Sequence, residues 1–506
     1  MRQTIKKYYK AVNLIDDKIK LYRRNISINI SREIDVKLKN KHWSILLDTW
    51  IYYVLSLIVS SLITNKVKRK FNHNSQILCQ NYINNTFDIY KNYKILVKTI
   101  HNIINKKKKI KLKIINSHNN INIVSIFFHY ICKLYIYLRN PILITDGYFS
   151  FKTRVNLFFL SYGKILIIDS KFIYINKNKY IYNTALREKL SIKCKDNVDF
   201  IFNLLIKNLF PTTLLENIKL NFKESIFYLN NIRKLGTAIN MHTNDLYKIL
   251  AVNFMLNKKK LFHFQHGSGY KFLKKNIKEK IEVSNCDKYF FWNNKYGIGL
   301  NHLSRFKILK KEEINKNKYI YFFLDALTSE LNYFDHTILY RKPAQSILNN
   351  LKKFIFLFKK KNYLYFKLLE HDKFFINKLI DCDVKVEKDK NVKKILQSAR
   401  IFVSNVFSTS AIEALYCGIP TVLILEKNLR IYGFNDDILD ILRTLKPFGF
   451  IQHDFSEASL FISKIYHNID DWWYNIYFQK NIKLLAKKLF TYNNSFTKDL
   501  NLILQK

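Results

Sequence analysis

The expected fold follows from one stretch, Ser398-Ala-Arg-Ile-Phe-Val-Ser-Asn-Val-Phe-Ser-Thr-Ser-Ala-Ile-Glu-Ala-Leu-Tyr-Cys-Gly-Ile-Pro-Thr-Val-Leu-Ile-Leu425. A short apolar strand, Ile401–Val403, leads through a hydroxyl-rich turn into a helix. A Gly-Ile-Pro break then ends the helix, and a second apolar strand runs over Thr421–Leu425. The stretch therefore predicts a β-α-β unit with two buried, parallel strands.

The hydroxyl groups of this stretch fall where its helix begins. Ser408, Thr409 and Ser410 would stand beside the N–H groups and the positive dipole end of the helix, which is a place to hold phosphate. Glu413 lies one turn further, where its carboxylate could reach a ribose attached to that phosphate. The alternative is an ordinary β-α-β unit in which a hydroxyl only caps the helix.

A second motif is Leu261-Phe-His-Phe-Gln-His-Gly-Ser-Gly-Tyr270. An apolar strand carries His266 to its carboxyl end, where open α/β sheets bind ligands. His266 could act as a general base on an acceptor hydroxyl or donate a hydrogen bond to a donor phosphate. The backbone N–H groups of Gly267 and Gly269 could add to an anion nest. The alternative is a histidine that only satisfies the turn.

The composition is strongly basic, with 86 Lys+Arg against 38 Asp+Glu and a formal net charge of +48. The chain also has 33 Tyr and 40 Phe but only 10 Gly and 5 Pro, which is typical of an A/T-rich genome. That base bias explains most of the charge. The other interpretation is an electrostatic role toward anionic lipid, nucleotide donors or nucleic acid. The basic residues are scattered and form no nucleic-acid motif, so we expect no specific nucleic-acid partner.

Cysteine spacing and the amino terminus indicate a cytoplasmic protein. The six cysteines lie far apart without a C-x-x-C pair, which favours a reducing compartment over disulfides or structural zinc. His129 and Cys132 form one pair without further ligands, so no metal site is predicted. Residues 1–40 show no secretory signal. The apolar run Ser44–Thr64 is interrupted by Asp48 and predicts a buried helix rather than a membrane span, while peripheral association with the inner face of the membrane stays open.

Alternation of short apolar runs with longer helical stretches predicts an α/β fold of two doubly wound, Rossmann-like domains with an extra helical region at the amino terminus. The expected divisions are residues 1–115 (helical region), 116–306 (first Rossmann-like domain, acceptor side), 319–465 (second domain, nucleotide-donor side) and 466–506 (closing helices). The expected strands lie in the runs Ile121–Phe128, Ile142–Thr145, Lys164–Asp169, Leu261–Gln265, Cys286–Trp292, Tyr319–Leu324, Tyr363–Leu368, Asp383–Val386, Ile401–Val403 and Thr421–Leu425. The basic run Lys106–Lys113 is expected to be a solvated loop or helix face.

Several segments together resemble a family of transferases found in bacterial surface-carbohydrate gene clusters. They are Lys41-His-Trp-Ser-Ile-Leu-Leu-Asp-Thr-Trp50, Phe210-Pro-Thr-Thr-Leu-Leu-Glu-Asn217, Phe264-Gln-His-Gly-Ser-Gly-Tyr270, Cys286-Asp-Lys-Tyr-Phe-Phe-Trp292, the stretch from Ala399 to Thr421, and Asp470-Asp-Trp-Trp473. More distantly, the serine-rich turn with its Glu-Ala-Leu resembles GT-B glycosyltransferases, Kdo-type capsule transferases and CDP-glycerol glycerophosphotransferases.

The resemblance implies a GT-B arrangement of the two domains and roles for particular residues. Carried over, Ser408, Thr409 and Ser410 would hold donor phosphate, Glu413 would contact the ribose, and His266 would be catalytic or bind the donor. The chain departs from the family pattern at Ser268 and Lys271, which stand where further glycine is favoured, and at Gly418, where the family often has Asn. These departures keep the proposed site but leave the identity of the donor open.

The implied reaction moves a sugar or related group from a nucleotide-activated donor to a carbohydrate or lipid-linked acceptor of the cell surface, without metal or cofactor. Charge that builds on the departing phosphate calls for a cation, and Lys367 is the candidate. Arg400 lies too close to a buried strand, and Asp146 and Asp325 are strand-end residues that could serve as bases or only as caps. The alternatives are a non-catalytic nucleotide- or carbohydrate-binding relative and a basic nucleic-acid-binding protein.

Overall fold

The structure is a computed structural model. It describes residues 2–64, 76–79, 83–86, 88–89, 92–105, 109–114, 123–147, 149–173, 182–267, 269–274, 276–296, 298–299, 302–324, 344–358, 361–367, 385–387, 391–425, 434–492 and 495–505.

The chain forms two compact units. The amino-terminal unit comprises Lys6–His266, Ile277–Phe290 and Thr497–Lys506, and the carboxyl-terminal unit comprises Met1–Ile5, Gly267–Asn276 and Phe291–Phe496. The chain passes from the amino-terminal unit to the carboxyl-terminal one inside the His-Gly motif, directly after His266. The division expected between residues 306 and 319 thus falls within the carboxyl-terminal unit, and the end of the chain belongs to the amino-terminal one.

The elements are numbered here in chain order. The helices are α1 Arg2–Ile34, α2 Asn40–Thr64, α3 Tyr93–Ile104, α4 Ile123–Arg139, α5 Phe151–Leu160, α6 Thr184–Glu188, α7 Asn197–Leu209, α8 Ile218–Asn231, α9 Asn240–Thr243, α10 Asp245–Leu256, α11 Ile277–Ser284, α12 Lys311–Lys316, α13 Ala344–Leu357, α14 Val392–Gln397, α15 Thr409–Tyr416, α16 Asp436–Leu445, α17 Phe455–Ile465, α18 Ile469–Trp473, α19 Ile476–Leu489 and α20 Phe496–Gln505. The strands are β1 Gln76–Cys79, β2 Lys109–Leu112, β3 Ile142–Thr145, β4 Ile165–Ile168, β5 Lys234–Thr237, β6 Lys260–Phe264, β7 Lys288–Phe291, β8 Ile298–Gly299, β9 Tyr319–Phe323, β10 Leu364–Lys367, β11 Lys385–Val386, β12 Ala399–Ser404, β13 Thr421–Ile424 and β14 Ile451–Gln452.

The sheet of the amino-terminal unit has the strand order β4-β3-β5-β6-β7, and these strands are parallel. The chain therefore runs in one direction across the sheet from β3 to β4 and in the other from β5 to β7, so the sheet is doubly wound. All four side chains of β3 are buried, as expected of a parallel strand covered on both faces. This confirms the first predicted Rossmann-like domain.

The sheet of the carboxyl-terminal unit has the order β11-β10-β9-β12-β13-β14, again with parallel pairing. Its winding direction reverses between β9 and β12, which leaves a crevice at the carboxyl ends of those two strands. Aromatic rings fill the core beneath this crevice, where Phe322 stacks on Phe366 with centroids 5.2 Å apart. This confirms the second predicted domain, and β12 leads directly to the hydroxyl-rich turn.

Helix α2 is the core helix of the amino-terminal unit. Its window Asn40–Val59 is long and apolar enough to cross a membrane, but 94% of it is buried inside the structure, as expected of a core helix. The indole of Trp50 is fully buried and donates to the carbonyl of Leu209 at 2.8 Å. Asp48 pairs with Arg23 at 2.6 Å. Burial raises the pKa of Asp48 to about 7, although Arg23 acts in the opposite direction.

Two sequence-based expectations about elements are wrong. The run Ile121–Phe128 is not a strand, because residues from Ile123 onward belong to α4. A short apolar run has the same appearance in a strand and in a helix that is apolar on several faces. Residues 109–112 of the basic run form β2, in which Ile110 and Leu112 are buried while Lys111 is exposed. That alternation is a strand pattern.

Candidate functional site

The start of α15 has the predicted geometry. Ser408 lies in the extended region, with φ −85° and ψ 175°, and its hydroxyl accepts a hydrogen bond from the N–H of Ala411 at 3.4 Å. Thr409 and Ser410 form the first turn and are half-buried. The cap satisfies one N–H group of the first turn, which normally has four without partners inside the helix. A helix start with three hydroxyls therefore lies just beyond the carboxyl end of β12.

The His-Gly motif contributes its glycines to the same place. A Cβ atom at Gly267 would lie 3.3 Å from the hydroxyl oxygen of Thr409, so the backbone of Gly267 passes close to the start of α15. Gly269 has a φ of +96°, which favours glycine. Asn435 holds the loop that follows, since its N–H donates to the carbonyl of Phe272 at 2.8 Å and its amide to that of Lys271 at 2.6 Å. The two motifs predicted separately thus meet within the carboxyl-terminal unit.

Glu413 points into the unit and pairs with an arginine that the sequence reasoning missed. Its carboxylate is buried and lies 3.0 Å from the guanidinium of Arg305, whose side chain remains 30% exposed. Burial raises the pKa of Glu413 to about 7, against the lowering effect of Arg305. The two residues are 108 positions apart, so no local pattern could have paired them. Arg305 is therefore a further cation close to the proposed phosphate-binding turn.

The other candidate residues have different surroundings. Lys367 ends β10, which is separated from β12 by β9, and its ammonium donates to the carbonyl of Glu387 at 3.4 Å. Arg400 binds backbone carbonyls, among them that of Tyr466 at 3.1 Å, and so stabilises the fold. Asp146 accepts from the N–H of Ser170 at 3.1 Å, which is the role of a strand-end cap. Ser268 and Asp325 lie outside the described residues.

His266 belongs to the amino-terminal unit and faces a buried carboxylate. Its Nδ1 lies 3.6 Å from Oε1 of Glu282, which is 1% exposed. The same oxygen lies 2.6 Å from Nε2 of His242, and the other accepts from the hydroxyl of Tyr289 at 2.7 Å. A carboxylate held in this way can orient a histidine and stabilise its charged form.

Sequence reasoning missed both Glu282 and His242. Glu282 lies in α11, where nothing local distinguishes it from Glu279. His242 follows β5, whose sequence Lys-Leu-Gly-Thr is too short and too weakly apolar to be recognised as a strand. With β5 placed, its position beside β6 would have indicated that His242 and His266 approach the same edge.

Metal binding has no support among the residues that the structure describes, where no group of three or more His, Cys, Asp or Glu side chains could hold an ion. The Nδ1–H group of His129 donates to the carbonyl of Phe172 at 2.9 Å.

Comparison with known families gives one match along nearly the whole chain. The family model described as "LIC12162 family transferase" matches residues 2–504. The chain belongs to the LIC12162 family of transferases. It is therefore a member of an enzyme family, as the resemblance implied. The comparison with curated proteins gives no match.

Solved structures are similar to this family member only at a low level. The crystal structure of HepE from Anabaena in complex with UDP has a TM-score of 0.38 at 10% identity, covering 72% of this chain and 99% of its own. MurG from Acinetobacter baumannii has a TM-score of 0.37 at 8% identity, with the same coverages. UGT71G1 from Medicago truncatula in complex with UDP-glucose has a TM-score of 0.34 at 10% identity, covering 76% of this chain and 96% of its own.

Proposed function

We propose that this transferase moves a sugar or related group from a nucleotide-activated donor to a carbohydrate or lipid-linked acceptor of the cell surface, such as a polysaccharide or lipopolysaccharide. The observation that carries the proposal is the convergence of the two motifs at the start of α15, with Gly267 beside Thr409. A crevice lined by hydroxyls, a helix start and glycine backbone suits the phosphates of a nucleotide.

On the donor side, Ser408, Thr409 and Ser410 hold the phosphates together with the backbone N–H groups of Gly267 and Gly269. Negative charge grows on the phosphate as the nucleotide departs, and donors already in position stabilise that charge without reorganising. Arg305 supplies positive charge from its pairing with Glu413, and Lys367 is the second candidate cation. The remaining oxygen of Glu413 accepts a hydroxyl of the ribose. The reaction uses no metal or cofactor.

On the acceptor side, His266 takes the proton from the attacking hydroxyl. The acceptor oxygen bonds to the transferred group while the bond to the nucleotide phosphate breaks and its electrons stay on the phosphate. The Glu282 carboxylate, 3.6 Å from Nδ1, stabilises the imidazolium that results. The protein acts in the cytoplasm at the inner face of the membrane, and it binds no nucleic acid specifically.

A thermal-shift screen of the purified chain tests the donor site. The ligands are CMP-, CDP-, UDP-, GDP- and dTDP-activated compounds, and the proteins are the wild type, Ser408→Ala and Glu413→Ala. A donor at 100 times its Kd stabilises the protein by about 2.7 kcal/mol, which raises Tm by several degrees. We expect one nucleotide class to stabilise the wild type and neither variant.

The matched control is Asn475→Ala, which removes the N-cap of α19 in the same unit and should keep the shift. His266→Asn separates catalysis from binding, because it should keep the donor shift and lose turnover. Full turnover by His266→Asn would assign the chemistry to another residue. No shift with any nucleotide in folded wild-type protein would contradict the donor site, and binding of nucleic acid that weakens steeply with salt would favour the basic binding protein.

A further inference from the structure

Helix α4 presents its apolar stripe to solvent. Side chains spaced three and four apart form one outward face, and each is 45% to 66% exposed: Val124, Phe127, Ile131, Leu134 and Leu138. We call these five residues the α4 face. A helix on the surface of a soluble domain normally turns such a stripe toward the core. Large exposed apolar patches mark interaction sites.

The orientation of α4 is determined by contacts on its other side. His129 and Ile136 are buried there, and the Nδ1 atom of His129 lies 2.9 Å from the carbonyl of Phe172. The hydroxyl of Tyr135 donates to the carbonyl of Gly163 at 2.6 Å, which joins α4 to the turn after α5. The helix therefore cannot roll to bury its face without losing these contacts.

The end of α5 and the turn that follows it extend this apolar surface. The ring of Phe158 packs on that of Tyr135 with centroids 5.7 Å apart. Its neighbours Phe159 and Tyr162 are 70% and 82% exposed. Tyrosine and phenylalanine together suit the boundary between water and hydrocarbon, since the tyrosine hydroxyl remains hydrated.

The stretch of sequence that contains α4 is mostly basic. Between Asp88 and Asp169 the sequence contains 14 Lys and Arg residues but only one acidic residue, Asp146. Arg139 ends α4, Lys152 lies in the first turn of α5 and Lys164 follows that helix, and all three are exposed. Apolar side chains bordered by cations are typical of surfaces that lie in the headgroup region of a membrane.

We propose that the α4 face, with Phe159 and Tyr162, docks the protein on an anionic lipid bilayer. The apolar side chains enter the boundary between headgroups and acyl chains, and the surrounding Lys and Arg residues bind the headgroups. An anionic bilayer suits this basic region better than a second copy of the chain, which carries the same formal net charge of +48. This surface accounts for the proposed membrane location, and lipid binding through it does not depend on the proposed transfer reaction.

Sedimentation with lipid vesicles tests this surface without any substrate. The wild type is mixed with vesicles of phosphatidylcholine alone or mixed with phosphatidylglycerol, at about 0.1 M and about 0.5 M NaCl. We expect binding to the anionic vesicles. The double variant Phe127→Ser/Leu134→Ser should bind them at least about tenfold more weakly at both salt concentrations, because it loses buried apolar area. Lys152→Gln/Lys164→Gln should weaken binding mainly at low salt, by about fivefold per lysine.

The control is Phe356→Ser, which changes a side chain that is 81% exposed in the other unit and should bind like the wild type. The residues changed in the test variants are all exposed: Phe127, Leu134, Lys152 and Lys164. Circular dichroism verifies that the variants are folded. Absence of binding to anionic vesicles, or equal binding by the double variant, would overturn the proposal. So would a wild-type dimer that the double variant abolishes, because the face would then cover a second copy.

Discussion

At the scale of single residues, the pair of Glu413 and Arg305 joins stability to the proposed site. The carboxylate is buried at the second turn of α15, and the guanidinium comes from a separate turn that ends at Arg305. Removing the arginine would be costly, because the buried carboxylate would be left without its partner. The pair therefore fixes both the direction of Glu413 and the position of the nearest cation.

The raised pKa of Glu413 predicts how stability depends on pH. A carboxyl group whose pKa is about 7 when folded and near 4.5 when unfolded stabilises the fold fully below pH 4.5, and this contribution is lost as the pH rises through 7. Glu413→Gln stays neutral throughout. We therefore expect the wild type to lose stability relative to this variant between pH 5 and pH 8, by about 1–3 kcal/mol. Thermal unfolding at both pH values measures the change.

The control for this prediction is Glu457→Gln, which changes an exposed carboxylate of the same unit. Its stability difference from the wild type should be nearly the same at both pH values. If Glu413→Gln behaved in the same way as this control, Glu413 would not titrate between pH 5 and pH 8.

At the scale of elements, two helix ends have a glycine in the left-handed backbone conformation, but the surroundings of the two glycines differ. Gly418 follows α15 with a φ of +78°, and a Cβ there would have only an ordinary contact, 3.7 Å from the carbonyl of Leu309. Gly449 ends the turn after α16 with a φ of +80°, and a Cβ there would lie 2.2 Å from the ring of Phe461. That ring packs on Trp472 with centroids 5.5 Å apart, so it has little room to move.

These surroundings predict unequal costs for the same substitution. Gly418→Ala should destabilise the carboxyl-terminal unit by about 1–2 kcal/mol, because only the left-handed backbone conformation is penalised. Gly449→Ala adds the displacement of Phe461 and should cost at least about 1 kcal/mol more. Chemical denaturation of the two variants beside the wild type compares them. Equal losses would mean that the Phe461 ring moves aside freely.

At the scale of the whole molecule, the last helix of the chain stabilises the amino-terminal unit. Helix α20 contacts the amino-terminal unit, where the amide of Asn501 donates to the carbonyl of Leu160 at 3.3 Å and Lys234 donates to that of Leu504 at 2.7 Å. Leu500 is fully buried, whereas Leu502, half a turn away, is 59% exposed.

The two leucines give a matched pair for this packing. Leu500→Ala should destabilise the amino-terminal unit by about 2–5 kcal/mol, because it leaves a cavity in the core. Leu502→Ala should change stability by less than about 0.5 kcal/mol. Calorimetry of both variants measures the effect. A small effect of Leu500→Ala would show that α20 is detached in solution.

The sequence predicts those parts of the molecule that depend on near neighbours. The β12–α15–β13 unit follows from apolar runs, a hydroxyl cap and a Gly-Ile-Pro break, all within 28 residues. Strand β5 escapes prediction because four residues that include glycine carry little pattern, and the beginning of α4 resembles a strand because the helix is apolar on its outward face as well. Local preferences decide an element only where the pattern is long enough to be unambiguous.

The sequence by itself determined the two parallel-sheet domains, the buried helix α2, and the membership of His266, Ser408 and Glu413 in motifs at strand ends. Only the tertiary structure decided that Gly267 lies beside Thr409, that Arg305 pairs with Glu413, and that Glu282 faces His266. The physical reason is the range of the interactions. Periodicity and helix caps act over a few residues, whereas these three contacts depend on packing among elements that are far apart in the chain.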